Sequence, residues 1–408
     1  MHDRIKRRLV KTGQASFRTF ILFAVLFNIL CLFKPAPVSA EGQASPVQSI
    51  ADSQIESLGI DEIKEYWEKV ASEYGGFLPE SQKGSFMEFV KGEKNFDLKQ
   101  WAGGFVRYMF HELFVHTKLL GTLILLTVFS MLLQTMQNAF NQPAVSKAAY
   151  GVIYLVLVIL ALNSFHVAMT YAQETIDEMM GFMIALLPLL LALMASVGSI
   201  AAAAFFHPVI VFLVSTSGLL VKNFVLPLLF LSALLSIVST MSEHHKVSQL
   251  ASLLRKVAAG TLALFFTVFL TVMSVQGAAT AVTDGVTIKA AKFVTGNFIP
   301  VVGRMFTDAA DTVMSASVLL KNTVGIVGMA MLLIMAAFPA IKVLALAFIY
   351  SLAAAILQPL GGGSIIECLS IIGKSVLYIF ASLATVCIMF FLAVTLIVAA
   401  GNITLMVR

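Results

Sequence analysis

Two groupings of ionisable side chains stand out in a chain that otherwise holds few. The first is His111-Glu112-Leu113-Phe114-Val115-His116. A zinc hydrolase grips its metal with two histidines one helical turn apart and a glutamate beside the first, the H-E-x-x-H spacing. Here Val115 occupies the second ligand's place, and His116 falls about 140° out of line with His111 around a helix. One ion cannot be held from one face by that pair. The segment reads as interfacial polar residues preceding an apolar helix, and His166 and His207 read as hydrogen-bonded helix residues in apolar runs.

The second grouping lies between Pro300 and Asn322. At 100° per residue, Arg304, Asp308, Asp311 and Ser315 fall on one line of a helix, with Thr307 and Thr312 flanking it. Val302, Met305, Phe306, Ala309, Ala310, Val313, Met314 and Ala316 cover the rest. Hydrocarbon does not solvate such charges, so the stripe must meet headgroups, protein or water. Three uses follow: an interfacial anchor, a specific polar contact, or the wall of a water-filled passage. Gly296, Pro300 and Gly303 supply the break that an interfacial or re-entrant helix needs.

Bond chemistry finds no such support. There is no G-x-x-x-x-G-K-[ST] phosphate loop, nucleophile elbow or cysteine-ligand spacing. Gly361-Gly362-Gly363 after Gln358-Pro359 is loop punctuation. The expectation is a protein that is not an enzyme and takes no cofactor or metal.

The elements that position the stripe are set by hydropathy. Of the 408 residues, 59% are hydrophobic and 12% charged, against about 25% charged in soluble domains. The net charge of +5 is concentrated at the N-terminus, where positions 1–40 hold seven Lys/Arg and one acidic residue. Arg4, Lys6, Arg7, Arg8, Lys11 and Arg18 precede the apolar run Phe20–Phe33 and the small residues Val38-Ser39-Ala40, the pattern of a signal peptide cut after Ala40. The remainder is close to neutral, so the basic balance implies no nucleic acid. Cys368 and Cys387, both in apolar context, make no disulfide framework.

Residues 41–118 form an expected exported helical cap. Ile60, Ile63, Trp67, Val70 and Tyr74 recur at helical spacing up to Gly75-Gly76, a second pattern holds Phe86, Phe89 and Val90, and a third carries Trp101, Phe105, Tyr108 and Leu113. Its apolar surface is too small for a strong core of its own, which predicts docking on the membrane or a partner. From 119 to 408 the chain reads as a multipass membrane domain. Against ~20 residues per crossing, spans are expected at 119–136, 148–169, 179–197, 204–221, 224–241, 257–275, 323–340, 342–359 and 375–400. The fold class is thus all-α, a polytopic integral membrane protein of about eight to ten transmembrane helices with a small exported region. With the cap exported, the basic loop Ser242–Lys256 falls in the cytosol and Glu174, Asp177 and Glu178 fall outside, as the positive-inside rule requires. Ser215-x-Ser217-x-Leu219-Leu220 returns as Ser315-x-Ser317-x-Leu319-Leu320, a faint internal echo.

Several long words carry a resemblance: Glu73-Tyr74-Gly75-Gly76-Phe77-Leu78-Pro79-Glu80-Ser81-Gln82-Lys83-Gly84, Phe205-Phe206-His207-Pro208, Ala291-Lys292-Phe293-Val294-Thr295-Gly296-Asn297-Phe298-Ile299-Pro300, Gly303-Arg304-Met305-Phe306-Thr307-Asp308 and Gln358-Pro359-Leu360-Gly361-Gly362-Gly363. From about Ile60 onward the sequence resembles the stage III sporulation protein AE family of endospore-forming bacteria. The resemblance implies a multipass component of the sporulation complex in the mother-cell membrane around the engulfed forespore. It also implies partners: other stage III proteins, a separate ATPase and a ring of proteins between the two membranes, besides the lipid bilayer. It supplies no catalytic residues. The expected function is a platform or conduit of that transport or secretion complex. The alternatives are a stand-alone small-solute permease and a non-conducting scaffold.

Overall fold

The computed structural model describes residues 60–78, 84–91, 98–139, 143–241, 247–298, 302–360 and 363–406. The side chains of 134–147, 241, 278–311, 360 and 401–406 are outside that description. Of two compact units, Met1–Ser45 and Pro46–Arg408, all described residues belong to the second. The expected leader and its cleavage site lie outside the described residues.

The described backbone is almost wholly helical, with no strand among the described residues. The cap contributes α1 (Asp61–Tyr74), α2 (Phe86–Val90) and α3 (Leu98–Val115). After α4 (Thr117–Ala139) come α5 (Pro143–Ser196), α6 (Ile200–Leu220), a π-turn at Val221–Val225 and α7 (Leu226–Met241). The chain continues as α8 (Ser248–Phe298), α9 (Val302–Leu357), a 3-10 turn Gln358–Leu360 and α10 (Ser364–Met406). The all-α polytopic architecture stands. Five stretches among the described residues are long and apolar enough to cross a membrane, six when the bent pair Lys99–Val115 and Thr117–Leu133 is taken as one.

The division into nine spans does not survive. Spans 148–169 and 179–197 are one helix, α5; 323–340 and 342–359 are one helix, α9, which also includes the stripe; 204–221 and 224–241 run on through the π-turn. The polar residues expected to form loops are good helix formers, and charge alone does not end a helix. Tyr171-Ala172-Gln173-Glu174-Thr175-Ile176-Asp177-Glu178 contains neither Gly nor Pro. Pro188, Pro208 and Pro339 lie inside helices, tolerable where neighbouring helices pack around the break. The segment 276–298 continues α8 as helix.

Side-chain contacts fix the register. The α5–α6 turn is made at Gly198, whose φ of 90° suits a residue without Cβ. From there α5 and α6–α7 run antiparallel: Gly218 abuts Met180, Lys222 pairs with Asp177, Phe230 meets Phe165, and Tyr154 Oη lies 2.5 Å from Thr240 Oγ1. Helix α9 runs antiparallel to α5, with Gly328 against Leu186 and Tyr350 donating to Ser164 Oγ at 2.8 Å. Helix α10 returns along α9, with Gly325 against Val398 and Gly373 against Ser351. Small residues at these contacts let backbones approach where no hydrophobic effect drives helices together. One core, including Leu157, Phe182, Phe206, Met331 and Phe390, runs the length of the bundle.

Candidate functional site

The cap is held by aromatic packing. Trp67 of α1 lies 4.9 Å from Phe89 and 6.3 Å from Phe86 between ring centroids, and its indole N–H donates to the Gly84 carbonyl at 2.8 Å. Ser85 starts α2 with a reciprocal capping box to Glu88. A second cluster joins Tyr74, Leu78, Trp101 and Tyr108 of the cap to Ile334 and Phe338 of α9. Phe338 stacks on Tyr74 at 4.2 Å and takes the edge of Tyr108 at 4.9 Å. The helix spacing of Ile63, Trp67 and Tyr74 is therefore the binding face, and the bundle completes the core that the cap lacks.

Beside this socket the bundle has an ionic belt halfway along its length. Glu178 of α5 accepts from Lys69 of α1 at 2.6 Å. Asp177 pairs with Lys222, the lysine of the π-turn. Lys342 of α9 stands 3.7 Å from Glu73 and lies over the rings of Tyr74 and Tyr171. The bond to Glu178 raises the Lys69 pKa above its ordinary value, the main cause being that hydrogen bond. A raised lysine pKa stabilises below the ordinary value and is lost above the shifted one, so this bridge holds at neutral pH and opens only in strong alkali. Burial raises the Tyr74 hydroxyl further, with Glu73 adding to it.

These pairs are partly exposed, so each contributes only about 0.2–1 kcal/mol. A double-mutant cycle on Asp177→Ala and Lys222→Ala, read by thermal melting in detergent, should return coupling no larger than about 1 kcal/mol. Their weight lies in position: they mark a level at which water or headgroups must reach the bundle.

The histidine segment behaves as its spacing predicts. Glu112 is buried and lies 3.6 Å from His116 one turn on, while the His111 ring turns to Phe77. Among the described residues no three His, Cys, Asp or Glu side chains converge as metal ligands. Of the stripe, Arg304, Asp308 and Asp311 lie on the first turns of α9, with side chains outside the description; Ser315 is exposed. The same line continues into Leu319 and Ile326, both exposed. Sequence reasoning missed the belt, although Glu174, Asp177, Glu178, Lys222 and Lys342 each fall inside an apolar run of 41 to 49 residues. It also passed over Lys321, fully buried, whose Nζ donates to the Val398 carbonyl at 3.1 Å.

A family model described as Stage III sporulation protein AE matches residues 81–401. The Stage III sporulation protein AE of Bacillus subtilis (strain 168) is 62% identical over 368 residues, 90% of this chain and 92% of that protein. No solved structure matches.

Proposed function

Because this chain belongs to the stage III sporulation protein AE family, we propose that it is the membrane platform or conduit of the sporulation complex in the mother-cell membrane around the forespore. The cap would face the space between the two membranes, and the basic start of α8, with Arg255 and Lys256, the cytosol. Its partners would be a separate ATPase and the intermembrane ring proteins. The observation that carries this reading is the docked cap. Tyr74 and Phe338, with Lys69–Glu178 beside them, fasten a folded face at the belt, about 30 Å along the helices from the basic end. A platform needs such a fixed face on one side of the bilayer.

The reading requires partners for any transport. Purified full-length chain in liposomes should therefore show no solute uptake alone; uptake without partners would point instead to a stand-alone permease. The stripe tests the finer choice between conduit and platform. If it lines a path, Asp308→Ala with Asp311→Ala should abolish sporulation while the complex still co-purifies. Loss of co-purification would make it a contact face, and normal sporulation an interfacial anchor.

A further inference from the structure

The Ile200–Thr240 arm is 41 residues long, about 60 Å at 1.5 Å per residue. A bilayer core is about 30 Å thick. The belt divides this length into two apolar bands. The upper band runs from the belt to the end where Arg255, Lys256 and Lys374 lie, and α4 traverses only this band before the chain turns into α5. The lower band runs from the belt to the Gly198 turn; its hairpin contains no Asp, Glu, Lys or Arg between Met179 and Val221, and Lys321 of α9 is buried inside the band. Its surface exposes Ile184, Ile200, Phe205, Phe212 and Leu219.

One bilayer cannot cover both bands. A second bilayer does not fit either: residues 174–178 occupy about 6 Å of helix, whereas two facing headgroup layers need about 10–15 Å. Water is a poor solvent for a face this apolar. Protein remains. A second copy of this chain fits best, because its own upper band holds it at the same depth in the same membrane. It then presents the same apolar hairpin face at the same height and brings its belt level with this one.

We infer that the Met179–Val221 hairpin is not a pair of membrane crossings but stands outside the bilayer on the cap's side, packed against a second copy of this chain. This rests on the orientation proposed above, with the basic start of α8 in the cytosol. The upper six-helix band is then the membrane part. Because α5 is continuous, the Gly198 turn lies on the face opposite Ser242–Lys256. The nine-span reading places that turn in the cytosol, so the two differ in a measurable way.

The test uses the full chain in native membranes, expressed as two differently tagged copies. A photo-crosslinking phenylalanine analogue at Phe212, which is 66% exposed, should shift the 44.0 kDa chain to a doubled species carrying both tags. The same analogue at Ile159, exposed in the upper band, should give none. Phe212→Asp should convert the detergent-purified oligomer to monomer. At the turn, Ser196→Cys should react with an impermeant maleimide applied from the exported side. An adduct to lipid, to another protein or to nothing at Phe212 overturns the inference, as does labelling of Ser196→Cys from the cytosol alone or from neither side. Each of these leaves the platform reading standing, whereas uptake by the chain alone overturns that reading and leaves the crosslink intact.

Discussion

Phe338→Ala is expected to loosen the cap on the bundle at Tyr74, Trp101 and Tyr108 while leaving the bundle folded. Phe338 is 1% exposed and is shared by Tyr74, Phe105 and Tyr108, which reach it from α1 and α3. Truncating a buried phenylalanine costs about 3–5 kcal/mol through lost transfer energy and the cavity left behind. That loss falls on the smaller cluster, which forms the socket, while Ile63, Trp67, Phe86 and Phe89 of the cap stay packed in the main core. The belt pairs cannot compensate: Lys69–Glu178 and Lys342–Glu73 are solvent-screened and together offset only about 0.4–2 kcal/mol. Limited trypsin digestion should then cut at Lys64 and Lys69 far faster than in the parent chain. Phe348→Ala, on the exposed side of the same helix, should digest at the parent rate. Equal digestion of both variants would mean that the cap is held elsewhere.

Gly218→Leu should separate α5 from α6 and lower the melting temperature of the whole bundle. A Cβ at Gly218 would run into the Met180 thioether. Methionine is adaptable, so Gly218→Ala should cost little once Met180 changes rotamer. A leucine needs space that the helix–helix contact lacks, and overpacking of this kind costs about 1–3 kcal/mol. The control is Gly260→Leu on α8, where an added Cβ meets nothing within 4 Å. Thermal melting in detergent should show a fall for Gly218→Leu and none for Gly260→Leu. The contact lies next to the ion pair Asp177–Lys222, so the same variant should also loosen the belt.

Both variants bear on how the sequence relates to the structure. The cap helices were legible because their apolar residues repeat at helical spacing and stop at Gly75-Gly76. Asp61–Tyr74 forms as that pattern predicts, burying Ile63, Trp67 and Tyr74. What covers that face was not legible, since Phe338 lies more than 260 positions beyond Tyr74 inside an unbroken apolar run. In the histidine segment, five-residue spacing sends His111 and His116 to different neighbours.

The division into spans was misread for a physical reason. A length criterion near 20 residues treats each polar interruption as a loop, but a helix continues through charge when a partner neutralises it. Lys222 is such a case, with Asp177 opposite it and a π-turn, not a loop, accommodating the extra residue.

By itself the sequence determined that this protein is helical, that it is soluble in lipid over most of its length, and that its polar cap needs support from elsewhere. Those are local properties, set by hydropathy, periodicity and the placing of Gly and Pro. Only the tertiary structure decided that paired spans are single long helices, that Glu178, Asp177 and Lys342 gather at one level, and that the cap rests there. Such facts depend on which residues meet across helices, and burial and charge pairing between distant positions leave no periodic trace along the chain.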